Sequence, residues 1–126
     1  MRREVIINIT PMGAPRMTQR DKWKKRPVVL RYHAFKDDLR AQIGSFPCPD
    51  NLDIIAYMPM PSSWSKKKKQ QMDGQKHQNK PDGDNIIKAI KDGLYNQEVN
   101  DCTVYDERIR KFWSIEPKLI IAWNED

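Results

Sequence analysis

Two apolar periodicities alternate along this chain, and their order limits what it can fold into more than any other feature. Val5-Ile6-Ile7-Asn8-Ile9 is rich in β-branched residues and stops at Pro11-Met12-Gly13, which reads as a strand. Between Val28 and Ile43 the apolar residues Tyr32, Phe35, Leu39 and Ile43 recur at spacings of three and four, with Gly44 behind them, so an amphipathic helix is expected. Leu52 to Tyr57 returns to strand character and closes at Met58-Pro59-Met60-Pro61. Ser62 or Ser63 offers a cap for a short helix running from near Trp64 to about Met72. Asp73 to Pro81 has no apolar periodicity and reads as a loop, of the mobile kind that closes on a ligand. A helix from about Asn85 to Leu94, a turn through Asn96 to Cys102, a strand from about Val104 to Ser114 and a last strand around Leu119 to Trp123 complete the order.

Helices interrupting strands, with a final hairpin-like pair, predict an α/β or α+β fold: a single small mixed β-sheet packed with helices. With 126 residues, no internal repeat and no linker, positions 1–126 form one domain, because two cores would each bury too little apolar surface. Val5, Ile7, Ile9, Leu119 and Ile121 line either its core or an edge where strands of two protomers meet; the pattern alone does not choose.

Charge divides the chain unevenly. The net charge is +6, yet Met1 to Lys80 carries +10 and Pro81 to Asp126 carries −4. A basic surface attracts a polyanion by counterion release, whereas clustered carboxylates repel one unless a cation lies between. The combination points to metal-dependent chemistry on nucleic acid, against the plainer reading that both excesses are solvated surface. Cys48 and Cys102 are far apart, and His33 and His77 are the only histidines, so neither a disulfide scaffold nor a zinc site is expected. No apolar run approaches the roughly 20 residues of a membrane span, and the short apolar stretch after Met1-Arg2-Arg3-Glu4 does not support a signal peptide. A soluble, cytoplasmic protein in a reducing compartment is expected.

Two basic segments are candidate phosphate contacts. Lys22, Lys24, Lys25 and Arg26 surround Trp23, which either stacks on a base or anchors the loop as a partly buried side chain. Lys66, Lys67, Lys68 and Lys69 span one helical turn and cannot all face one phosphate, so they form an electrostatic patch or a solubilising face. Lys76, Lys80 and Lys111 join them as candidate DNA-binding residues.

The chemistry concentrates in Pro81-Asp82-Gly83-Asp84-Asn85. Asp84 sits where an N-cap belongs, and capping would explain it without catalysis. A cap does not explain Asp82 two residues earlier, because like charges within about 6 Å raise each other's pKa unless a cation neutralises them. Ile86, Ile90 and Leu94 form the apolar stripe of the helix, while Lys88 and Asp92 continue a polar line from Asp84. Lys88 either holds a scissile phosphate or pairs with Asp84 or Asp92 on a solvated face. Asp101 ends the following turn and can return to the helix start as a third carboxylate. Mg²⁺ favours oxygen ligands of this kind, and Mn²⁺ can substitute for it.

Lys80-Pro81-Asp82-Gly83-Asp84-Asn85-Ile86-Ile87-Lys88, then Asp92-Gly93-Leu94, then Asn100-Asp101-Cys102-Thr103-Val104 with Lys111 beyond, resembles the RusA family of Holliday junction resolvases. The direct match covers a quarter to a third of the chain; Pro59-Met60-Pro61, Ser63-Trp64-Ser65 and the lysine run resemble phage and prophage members more loosely. The resemblance implies catalytic, metal-binding carboxylates at Asp82, Asp84 and Asp101 and a catalytic or phosphate-binding role for Lys88. It also implies a homodimer that cuts four-way or branched DNA symmetrically in recombination and repair, which suits two equivalent sites related by a twofold axis. The chain departs from the family pattern at Asn100, which replaces an acid, at Thr103, which replaces Gln, and at Gly93, which replaces Ala and weakens the helix end by ~1 kcal/mol. Two other classes compete: a DNA-binding module whose aspartates only cap and solvate, and a metal-dependent nuclease acting on RNA or flaps.

Overall fold

A computed structural model describes residues 1–16, 26–96 and 98–125. Lys22, Trp23, Lys24 and Lys25 lie outside the described residues. The elements are β1 (Arg2–Ile7), α1 (Pro27–Ile43), β2 (Asn51–Met58), α2 (Lys66–Met72), α3 (Gly83–Leu94), a 3-10 turn (Asp101–Thr103), β3 (Asp106–Trp113) and β4 (Lys118–Asn124). They build one mixed sheet in the order β1-β4-β2-β3, so the expected α+β architecture holds.

The expected terminal hairpin does not form. β3 pairs in parallel with β2, and β4 lies antiparallel between β1 and β2. The residues explain the exchange. β3 is Asp-Glu-Arg-Ile-Arg-Lys-Phe-Trp, whose charges suit an edge strand; Lys118-Leu-Ile-Ile-Ala-Trp-Asn is apolar on both faces and suits the centre. β1, with Arg2, Arg3 and Glu4, takes the other edge.

β2 alternates strictly, burying Leu52, Ile54, Ala56 and Met58 on one face. That face meets Tyr32, Phe35 and Leu39 of α1 and Ile86, Ile87 and Ile90 of α3, together with Ile7, Leu119 and Ile121. Val5 and Ile9 pack against the same cluster, so the apolar strand positions left open between core and edge line the core. The opposite face carries no residue of this cluster. Ile6, Ile120, Ile55 and Arg110 form one cross-strand row there, with Lys118, Tyr57 and Phe112 in the next row, and Ile6 is 58% exposed.

α1 and α3 approach closely at Gly93, where an added Cβ would stand 3.2 Å from Leu39 Cδ2. Arg40 Nε donates to the Gly93 carbonyl at 2.6 Å, and the Tyr32 hydroxyl donates to Asp92 at 2.5 Å. The glycine that weakens the helix end by propensity thus makes room for the neighbouring helix. Burial, with the Asp92 hydrogen bond and charge behind it, pushes the Tyr32 phenol up.

Two helix starts differ from expectation. α2 is capped by Ser65, whose hydroxyl accepts from Lys68 N–H at 3.1 Å, not by Ser62 or Ser63. Trp64 stays outside the helix and packs its ring 4.9 Å from that of Trp113. α3 begins at Gly83, so Asp82, not Asp84, occupies the capping position.

Candidate active site

The segment between α2 and α3 is tied along the outer edge of β3. Gly74 N–H donates to the Trp113 carbonyl at 2.8 Å, Trp113 N–H to the Gln75 carbonyl at 2.8 Å, and His77 N–H to the Lys111 carbonyl at 3.0 Å. The segment is the expected loop, pinned to the sheet by these bonds and by an isolated antiparallel bridge between Lys76 and Phe112. Beyond it, Lys111 Nζ donates to the carbonyls of Asn79 at 2.7 Å and Pro81 at 2.8 Å. This lysine, a candidate DNA contact by sequence, is the tether of the loop that delivers Asp82. Its partners lie about 30 positions upstream, and no local pattern marks them.

Asp82 leads into α3 with extended backbone and caps nothing with its side chain. Gly83 follows because the helix start lies against β3: an added Cβ would come 2.8 Å from Ile109 Cγ2. Asp84 stands in the first turn and Lys88 one turn later, and all three charged side chains are exposed. Among the described residues none of them makes an ion pair or a side-chain hydrogen bond. Asp92, the other partner offered to Lys88, is bonded to Tyr32, and the nearby Lys91 pairs instead with Glu107 at 3.0 Å. Two unpartnered carboxylates and an unpartnered ammonium therefore share the start of α3, where the helix dipole favours negative charge.

Asp101 does not join them within the chain. It borders a small recess with Lys91, Asp92, Tyr95, Asn96 and Asn100, at the far end of α3. α3 has 12 residues, a length of roughly 18 Å. The Asn100 side chain accepts from Cys102 N–H at 3.0 Å and caps the 3-10 turn that holds Asp101. The residue that departs from the family pattern thus has a structural task. No cluster of three His, Cys, Asp or Glu side chains suited to a metal ion occurs among the described residues. Asp82 and Asp84 by themselves still fit Mg²⁺, which takes one or two protein carboxylates and completes its shell with water and substrate phosphate.

The described basic candidates lie on the loop before Asp82, on α2 and just ahead of α1. Lys76 and Lys80 are exposed on the loop before Asp82. On α2, Lys66, Lys67 and Lys68 are exposed, Lys69 is half-buried, and Lys68 Nζ lies 4.4 Å above the Trp64 ring. Arg26 donates to the Arg16 carbonyl at 2.7 Å just ahead of α1.

Between the loop and the sheet lies a cleft of about 780 Å³, bounded by Pro11 to Ala14, by Met58 to Pro61, by His77 and Trp113, and by Asn79 to Asp82. Sequence patterns did not reveal it, since its walls come from four separated segments. His77 is buried, with its ring 4.2 Å from that of Trp113, and its Nδ1 has no hydrogen-bond partner. Burial, reinforced by the Lys111 charge, pushes the imidazole below its ordinary pKa. No helix of the described chain is long and apolar enough to cross a membrane.

A mixed sheet with helices on one face and a pair of unpartnered aspartates at a helix start define a small α+β protein. Residues 8–123 match the family of endodeoxyribonuclease RusA, and the chain belongs to that family. It is also 35% identical over 82 residues to the uncharacterized protein YqaN of Bacillus subtilis (strain 168), a match over 61% of this chain and 58% of that protein.

Proposed function

We propose that the chain is a divalent-metal-dependent endodeoxyribonuclease that cuts four-way and related branched DNA in recombination and repair. The observation that carries this reading is the unpartnered trio of Asp82, Asp84 and Lys88 at the start of α3, in a chain of the RusA family. Asp82 and Asp84 would hold Mg²⁺, with Mn²⁺ as a substitute. A bound cation of this kind supplies polarisation of the phosphoryl oxygen and a more acidic attacking water. Lys88, one turn along, faces the same phosphate and offsets its charge. Lys111 acts as a positioning residue through the carbonyls of Asn79 and Pro81. The lysines of α2, with Lys76, Lys80 and the Lys22–Arg26 segment, hold DNA arms through phosphates.

Asp101 is assigned as the third carboxylate on the family resemblance, and its place at the far end of α3 makes its route into the site a question for a dimer. The helix-free sheet face bearing Ile6, Ile55 and Ile120 is the surface on which we place that dimer.

The test is cleavage of a synthetic four-way DNA junction beside linear duplex, flap and RNA junction, in Mg²⁺ and in EDTA. Symmetric cuts in the four-way DNA junction, only with Mg²⁺, are expected, with linear duplex and RNA junction left intact. Metal-independent binding without cutting would instead make the chain a binding module. Mixing Asp82→Asn with Asp101→Asn protein then reports on Asp101: a site shared between protomers regains one intact copy and nicks the junction, whereas a site within one chain stays dead.

A further inference from the structure

The cleft beside Asp82 is not used by the reading above. Its apolar walls include Met12, Met58, Met60, Pro61 and Trp113, and His77 also lines it. Asp82 lines one side and Lys80 stands next to it. A mostly apolar cavity of about 780 Å³ is of the size that encloses a small flat ligand. Three properties restrict the occupant. It must be apolar enough to displace water from methionine and proline. It must also be joined to an anion, because exposed Lys80 lines the cleft beside Asp82, the first of the two carboxylates proposed to hold the cation. Finally, His77, only 6% exposed, lines the cleft and holds a buried Nδ1 with no partner among the described residues, so an occupant with a hydrogen-bonding edge would satisfy it.

A nucleobase meets all three conditions: a flat ring with hydrogen-bonding edges, tethered to a phosphate. We propose that the cleft receives one unstacked nucleobase of the strand whose phosphate lies at Asp82 and Asp84. The proposal rests on the branched-DNA reading, and it gives that reading a source of selectivity. Extruding a base from continuous duplex costs stacking and pairing, whereas a nucleotide at a branch point is already partly freed. A phosphate could then reach the carboxylates only where its base can leave the stack.

The experiment is junction binding in Ca²⁺, a hard cation that carboxylates also accept, with 2-aminopurine placed in turn at each nucleotide flanking the branch point. Binding of the wild-type protein should raise the fluorescence several-fold at one position, by unstacking. Met60→Trp, which puts a bulky ring into the cleft, should abolish the rise and weaken binding of the intact junction to the level of the abasic one, with thermal stability kept; Met60→Ala, which leaves the cleft open, should retain the rise. An abasic nucleotide at the responding position should weaken wild-type binding roughly five- to hundredfold, the range set by stacking on side chains. Tight binding with no responding position, or a rise that persists in Met60→Trp, would overturn the base-capture proposal and leave the nuclease reading standing. Failure of the wild-type protein to bind or cut any junction would remove the nuclease reading and this proposal with it.

Discussion

His77 shows how a single side chain connects the fold to the cleft. Its imidazole is buried against Trp113, and burial plus the Lys111 charge lower its pKa, so the folded protein holds it neutral. The unfolded chain takes up a proton at about pH 6.5, and the folded chain does so only at lower pH. Between those values the unfolded state binds more protons, so stability falls as pH drops below about 6.5 and is fully present above it. Urea unfolding at pH 7.5 and 5.5 should show this loss, and His77→Asn should flatten it; an unchanged slope in the variant would assign the dependence elsewhere. At this scale the grouping of Asp82, Asp84 and Lys88 at the start of α3 was legible, because it follows from spacing along the chain. The sequence concealed the tasks of Lys111 and His77, whose partners are distant in sequence.

The elements were legible wherever apolar periodicity was strong. α1 and β2 fall within a residue or two of expectation, and their buried positions follow the pattern that identified them. Strand order was not legible from sequence neighbourhood, since β4 skips β3 to pair with β2 and β1. Composition held the clue: the charged strands β1 and β3 are the edges, and the more apolar β4 and β2 are central. The start of α3 shows the same dependence on packing. Gly83 lets the helix approach β3 within Cβ contact of Ile109, and that approach sets where Asp82 and Asp84 stand. Gly83→Ala must push the helix off the sheet or shift Ile109, with an expected loss of about 1–3 kcal/mol in unfolding free energy. Cleavage should fall further than junction binding, because the carboxylates move while the α2 lysines do not. Equal stability and equal cleavage rate in the variant would show that the close approach does not position the site.

At the scale of the whole molecule, one sheet separates two surfaces with different tasks. The helical face builds the core and carries α3, while the other presents Ile6, Ile55 and Ile120, with no core-cluster residue among the described residues packed on it. The uneven charge of the sequence becomes spatial here: the acidic pair Asp82 and Asp84 opens the second half of the chain, and the exposed lysines of α2 and the preceding loop belong to the first. The expectation of basic arms around an acidic centre is legible in the sequence; the separation of Asp101 from that centre is not, because it depends on how the turn after α3 is capped by Asn100. The central claim is that the Asp82 and Asp84 pair drives phosphodiester cleavage. Its most direct test is the single-turnover cleavage rate of a saturated four-way junction in Mg²⁺ by wild-type and Asp82→Asn protein, with junction affinity measured in parallel. Retained affinity with a rate reduced by roughly a hundredfold or more is the predicted result; an Asp82→Asn protein that cuts at the wild-type rate would contradict it.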